Sequence, residues 1–131
     1  MSRKIAREVT MQALYQIELN GLQTYEEVQG FIMDSSIKAS EDAYVKQVID
    51  LGFEHKATVD EEISKHLNNW TIERISKVDL SILRLAVIEI RHMEDIPESV
   101  SINEAVNLAK KFSDEEASKY INGVLGSIVR T

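Results

Sequence analysis

Apolar side chains recur along this chain with the three-to-four-residue spacing of a helix, and short polar breaks separate the repeats. Ile5, Val9, Ala13 and Ile17, with Ala6 beside them, form one stripe from about residue 3 to 19, and Asn20-Gly21 supplies a C-terminal stop. Val28, Phe31 and Ile32 mark a shorter second helix from about Tyr25 to Met33. Ser40 ahead of Glu41 and Asp42 is a cap and first turn for a third, which continues through Tyr44, Val48, Leu51 and Gly52. Thr58-Val59-Asp60-Glu61 has capping-box spacing and opens a fourth helix that buries Ile63 and Leu67 and ends near Trp70.

From about Ile75 to His92 the pattern changes, because Val78, Leu80, Ile82, Leu83, Leu85, Ala86, Val87, Ile88 and Ile90 leave almost no polar face. Such a helix is central, surrounded by the others. Pro97 lies in the loop that follows. Ser101-Ile102-Asn103-Glu104 is a second capping box, with Ile102, Ala105, Val106, Ala109 and Phe112 as the buried face of a sixth helix. Ser113-Asp114-Glu115-Glu116 repeats the device for a seventh, whose inward residues are Ala117, Tyr120, Ile121, Val124, Leu125 and Ile128. The pattern predicts an all-α fold of seven helices, and no break is long enough for an interdomain linker.

Composition agrees with that picture. With 131 residues, 44% apolar and 28% charged, the chain fits one compact domain, residues 1–131. One proline and five glycines leave few places for the turns of a sheet protein. The absence of cysteine removes disulfides, thiolate nucleophiles and sulfur-bearing metal sites. No apolar run follows the basic residues near the N-terminus and none reaches membrane-spanning length, so a cytoplasmic protein with no membrane partner is expected.

A net charge of −7 argues against general coating of nucleic acid. The distribution is uneven, however. Arg3, Lys4 and Arg7 face only Glu8 within the first 17 residues, whereas Glu18, Glu26, Glu27, Asp34, Glu41 and Asp42 face only Lys38 in the stretch that follows. A basic end on an acidic body steers a phosphate ligand to one place.

Chemistry of the catalytic kind finds no foothold. His55, His66 and His92 lie on different predicted helices without metal-ligand spacing, and no HExxH, P-loop, GxGxxG or GxSxG occurs. They read as surface or boundary residues, and the abundant carboxylates as first-turn caps. A protein that is not an enzyme, with no cofactor and no metal, is expected.

At about 100° per residue, Arg3, Lys4, Arg7, Met11, Leu14 and Tyr15 fall on the side of the first helix away from its apolar stripe. Two readings follow. Either this helix is buried on two sides, the favoured reading for Met11 and Leu14, or the face binds single-stranded RNA, with cations on phosphates and Tyr15 as a stacking platform. Arg84, amid Ile82, Leu83, Leu85 and Ala86, must be paired if buried, with Glu104 or Glu89 as partner. Asp79 is either a helix-start carboxylate or the polar element of a partner-binding patch. Gly123 and Gly126, inside a predicted helix at about 1 kcal/mol each, suggest close approach of another backbone or of a ligand.

Four segments in order carry a family resemblance. Arg7-Glu8 with Gln12-Ala13-Leu14-Tyr15, then Val78-Asp79 with Ile82-Leu83-Arg84-Leu85-Ala86, then Ile102-Asn103-Glu104-Ala105-Val106 with Leu108-Ala109-Lys110, and finally Asn122-Gly123-Val124-Leu125 resemble the NusB family of transcription antitermination factors. The resemblance implies a seven-helix fold of two packed helical bundles. It also implies binding of the boxA element of nascent ribosomal RNA leaders together with the ribosomal protein NusE, in an antitermination complex on RNA polymerase, the chain itself being monomer or homodimer. By position, the RNA surface would use Arg3, Lys4, Arg7, Gln12 and Tyr15 with Lys119 and Tyr120, and Asp79 and Arg84 would meet NusE. The N-terminal arm is shorter in basic residues than in some members, which points to the partner supplying part of the RNA affinity.

Two alternatives accompany this reading. One is the NusB-like domain that precedes the catalytic domain of certain ribosomal RNA cytosine methyltransferases, although nothing like a cofactor-binding domain follows before Thr131. The other is a helical protein-binding adaptor with no RNA role, which would show no salt-dependent RNA binding.

Overall fold

A computed structural model describes residues 2–32 and 39–131, without the side chains of residues 31 and 39–42. Within them the chain forms seven helices: α1 (Arg3–Asn20), α2 (Tyr25–Ile32), α3 (Ala39–Glu54), α4 (Lys56–His66), α5 (Lys77–His92), α6 (Glu98–Phe112) and α7 (Glu115–Val129). No strand occurs among the described residues. The expected end of α2 at Met33, the packing of Phe31 and the Ser40 cap lie outside what is described.

α5 is the axis. Every residue from Leu80 to Glu89 is buried, and α5 packs on α1, α3, α4, α6 and α7. On one side α1, α2 and α3 pack on each other, and on the other α6 and α7 form the most extensive pairing, with α4 against α7. Two helical groups thus share one central helix and one hydrophobic core. No described helix is long and apolar enough to cross a membrane.

The helix ends follow local chemistry, with corrections to the expected registers. Ser2 caps α1 by accepting from the Ile5 N–H, and Gly21 closes it in the left-handed region at φ 64°, where a Cβ would be strained. Ser76 caps α5 by accepting from the Asp79 N–H at 3.0 Å. None of the three proposed capping boxes, at Thr58, Ser101 and Ser113, forms. α4 already begins at Lys56 and α6 at Glu98, behind Pro97 with its fixed φ of −60°, so Thr58 and Ser101 sit inside their helices. The Thr58 hydroxyl donates to the His55 carbonyl at 3.1 Å, and the Ser101 hydroxyl turns inward to Glu89. In α7 the cap is Asp114, which accepts from the Ala117 N–H at 2.7 Å.

The face of α1 also differs from the expected stripe. Its buried residues are Ala6, Arg7, Thr10, Met11, Ala13 and Leu14, whereas Ile5 is 44% exposed. Thr10 is accepted in the interior because its hydroxyl donates to the Ala6 carbonyl at 2.7 Å. Met11 and Leu14 are core, as favoured. The close backbone approach expected at the C-terminal glycines is absent: a Cβ on Gly123 would meet nothing within 4 Å, and one on Gly126 only the flexible end of Arg130.

Candidate functional site

Charged side chains are sorted by the helices that hold them. Arg7 is only 6% exposed, and its Nε donates to Glu89 at 2.7 Å while Nη2 donates to the other carboxylate oxygen at 3.2 Å. Glu104 stands 3.8 Å from Nη1. Glu89 is itself buried and also accepts from the Ser101 hydroxyl at 2.8 Å and from the Tyr44 hydroxyl. Burial, reinforced by the Glu89 charge and hydrogen bond, pushes the Tyr44 phenol far above its ordinary value and keeps it a donor. This network joins α1, α3, α5 and α6.

The expectation that Arg7 offers its charge to a phosphate is therefore corrected. Its guanidinium is spent on a buried carboxylate that would otherwise be uncompensated. Arg3, Lys4 and Gln12 are exposed, and Tyr15 is half-buried. Arg3 lies over the Tyr44 ring, 4.5 Å from its centroid.

Lys4 lines a cleft between α1 and α6 with Glu8, Glu104, Asn107, Lys110 and Lys111. Lys111 donates to Glu8 at 2.8 Å, whereas Lys4 and Lys110 have no ion-pair partner among the described residues. Helix geometry puts Lys4, Glu8, Gln12 and Tyr15 on one side of α1, within about 80° at 100° per residue. Lys110 and Lys111 were missed in the sequence, where basic residues in the last turn of a helix are already explained by its dipole. Only the packing of both α1 and α6 on α5 brings them to Lys4.

A second feature lies at the starts of α5 and α7. Trp70, Arg74, Asp79, Asp114, Glu116 and Tyr120 line a groove of about 500 Å³. Trp70 is 54% exposed, and the Tyr120 hydroxyl donates to the Asn68 carbonyl at 3.3 Å. Asp79 Oδ1 is buried with no hydrogen-bond partner. Three carboxylates against one arginine make this groove acidic, the opposite of the α1–α6 cleft.

Arg84 belongs to neither feature. It points to the other side of α5, where its Nε and Nη2 donate to Asp60 at 2.8 and 2.9 Å and its Nη1 donates to Glu18 at 2.6 Å. The expected partners, Glu89 and Glu104, are corrected accordingly: Glu89 serves Arg7. Burial opposes ionisation of Asp60, yet the Arg84 hydrogen bonds and charge hold its carboxyl below the usual range. The Arg84 hydrogen bond likewise lowers Glu18. A cavity of about 440 Å³, lined by Leu14, Ile49, Phe53 and Ile88 among others, adjoins this cluster.

The NusB family profile matches residues 4–130. The chain belongs to the NusB family. The transcription antitermination protein NusB of Listeria innocua is 44% identical over 128 residues, covering 98% of this chain and 96% of that protein. That of Bacillus subtilis is 43% identical, covering 98% and 95%. Among solved structures, a crystal structure of antitermination factors NusB and NusE in complex with dsRNA superposes with a TM-score of 0.89 at 31% identity, covering 98% of this chain and 96% of that one. NusB of T. maritima gives a TM-score of 0.90 at 31% identity, covering 99% and 92%.

Within this NusB fold the residues expected to act together are divided. Lys4 joins Lys110 and Lys111; Lys119 is exposed on α7; Tyr120 and Asp79 share the acidic groove; Arg7 and Arg84 are buried in ion pairs.

Proposed function

We propose that this chain is a transcription antitermination factor that binds the boxA element of nascent ribosomal RNA leaders together with NusE, within an antitermination complex on RNA polymerase. The observation that carries the reading is the α1–α6 cleft, where unpaired Lys4 and Lys110 stand beside Lys111 on a chain of net charge −7. Elsewhere the acidic body repels a polyanion, so a single-stranded RNA is steered to this seam. Gln12 and Tyr15 continue it along α1 and Arg3 stands at its start, with the Tyr15 ring available for base stacking.

NusE occupies the acidic groove. A ribosomal protein works against RNA and carries basic surface, which suits Asp79, Asp114 and Glu116, while Trp70 and Tyr120 supply apolar contact. Arg84 supports that surface from beneath, through α5, without touching the partner. The role is one of binding, exercised in the cytoplasm where transcripts are made.

Titration of labelled boxA RNA at several salt concentrations, with and without NusE, tests the proposal. Lys4→Ala and Lys110→Ala should each weaken binding and reduce the salt slope by about one phosphate contact. Asp79→Lys should impair NusE capture with helicity unchanged. RNA binding that is absent with NusE present, or that ignores salt, would reject the reading.

A further inference from the structure

α3 ends at Glu54 and α4 begins at Lys56, so His55 alone makes the corner between them. Its backbone leaves the helical region (φ −112°, ψ 20°), yet the hydrogen-bond ladder passes through: His55 N–H donates to Leu51 and Val59 N–H donates to His55, both at 2.9 Å. No side chain caps the start of α4. What braces the corner instead is the His55 ring, which lies flat on the ring of His92, the last residue of α5, with centroids 3.8 Å apart and planes 11° from parallel.

We infer that the stacked His55–His92 pair is a proton-sensitive latch that holds the α3–α4 corner against α5 while neutral and releases it when both rings are charged. Neutral imidazoles stack as aromatic rings do. Two imidazolium ions at this separation repel. The carboxylates that face the pair are exposed or engaged elsewhere. From α3, Glu54 lies 3.7 Å from His55 Nε2 but is largely exposed. From α4, Glu62 faces the pair but is engaged by Arg91, whose Nε donates to it at 2.9 Å. From α6, Glu98 acts on Arg91, and from α7 the Ile128 carbonyl accepts from Arg91.

Burial and the nearby His55 charge hold His92 below its ordinary pKa, against the pull of Glu54 and Glu62. The unfolded chain therefore binds more protons here than the folded one. The stabilisation is present above about pH 6.5 and is lost as pH falls through the folded value. Release of the corner would act on the first turn of α4 and so on Asp60, which anchors Arg84.

Histidine-ring NMR titrations from pH 8 to 5 on the wild type, His55→Gln and His92→Gln, with amide protection factors for α4, test the latch. In the wild type the His92 ring should titrate below an ordinary imidazole, and His55→Gln should shift the His92 midpoint upward. Protection at Val59 should fall on acidification in the wild type more steeply than in either variant. A His92 midpoint unmoved by His55→Gln, or identical pH dependence of protection in all three proteins, would overturn the inference; circular dichroism at pH 8 establishes that each variant is folded.

Discussion

Lys4 and Arg7 stand three residues apart on α1 and serve different ends. Lys4 is exposed, so its removal takes away charge and little packing. Arg7 balances Glu89, which is 1% exposed and whose other partners, Ser101 and Tyr44, are neutral donors. Deleting the guanidinium strands a buried carboxylate. Arg7→Ala is expected to cost about 3 to 5 kcal/mol, read as a drop in the urea midpoint, whereas Lys4→Ala should leave that midpoint nearly unchanged. An Arg7→Ala protein of wild-type stability that still lost RNA affinity would return Arg7 to the RNA surface. Spacing alone could not separate the two residues, because Glu89 lies 82 positions away in sequence.

At the scale of the element, the sequence made helix number and order legible, while helix registers and one buried face were not. Gly21 was readable because a left-handed C-terminal residue has one cheap solution, and α5 because an unbroken apolar surface has one place to go. The Ser/Thr-x-x-Glu pattern misled because it also fits inside a helix, where Ser101 and Thr58 donate instead of capping. The α1 face was misread because Ala6, Thr10 and a paired arginine bury well without being strongly apolar. The register at α7 gives a direct check. Since Asp114 accepts from the Ala117 N–H, Asp114→Ala should destabilise by about 1 kcal/mol, while Ser113→Ala should be close to neutral in thermal unfolding. Reversed magnitudes would move the cap back to Ser113.

Across the whole molecule, α1 is tied near both of its ends to α5: Arg7 reaches Glu89 near the end of α5 and Glu18 reaches Arg84 at its middle, so the two helices run in opposite senses. The Lys4–Lys110 cleft exists only because this clamp and the α5–α6 packing bring α1 beside α6, which is why the site was less legible than the fold. Arg84 also carries a pH signature. With Arg84 present, Asp60 and Glu18 titrate below their ordinary values of 3.8 and 4.5, so the folded state binds fewer protons than the unfolded one. Its stabilisation is complete above those values and is lost as pH falls through the lowered folded ones. Arg84→Met keeps the alkyl volume and removes the charge, leaving Asp60 with Lys56 at 3.1 Å and Glu18 unpaired. The variant should be less stable by about 3 to 5 kcal/mol at pH 7, and the gap to wild type should narrow in urea titrations at about pH 3, where both carboxylates are largely protonated in the unfolded chain. A gap of the same size at both pH values would assign the contribution of Arg84 to packing of its stem instead of its charge.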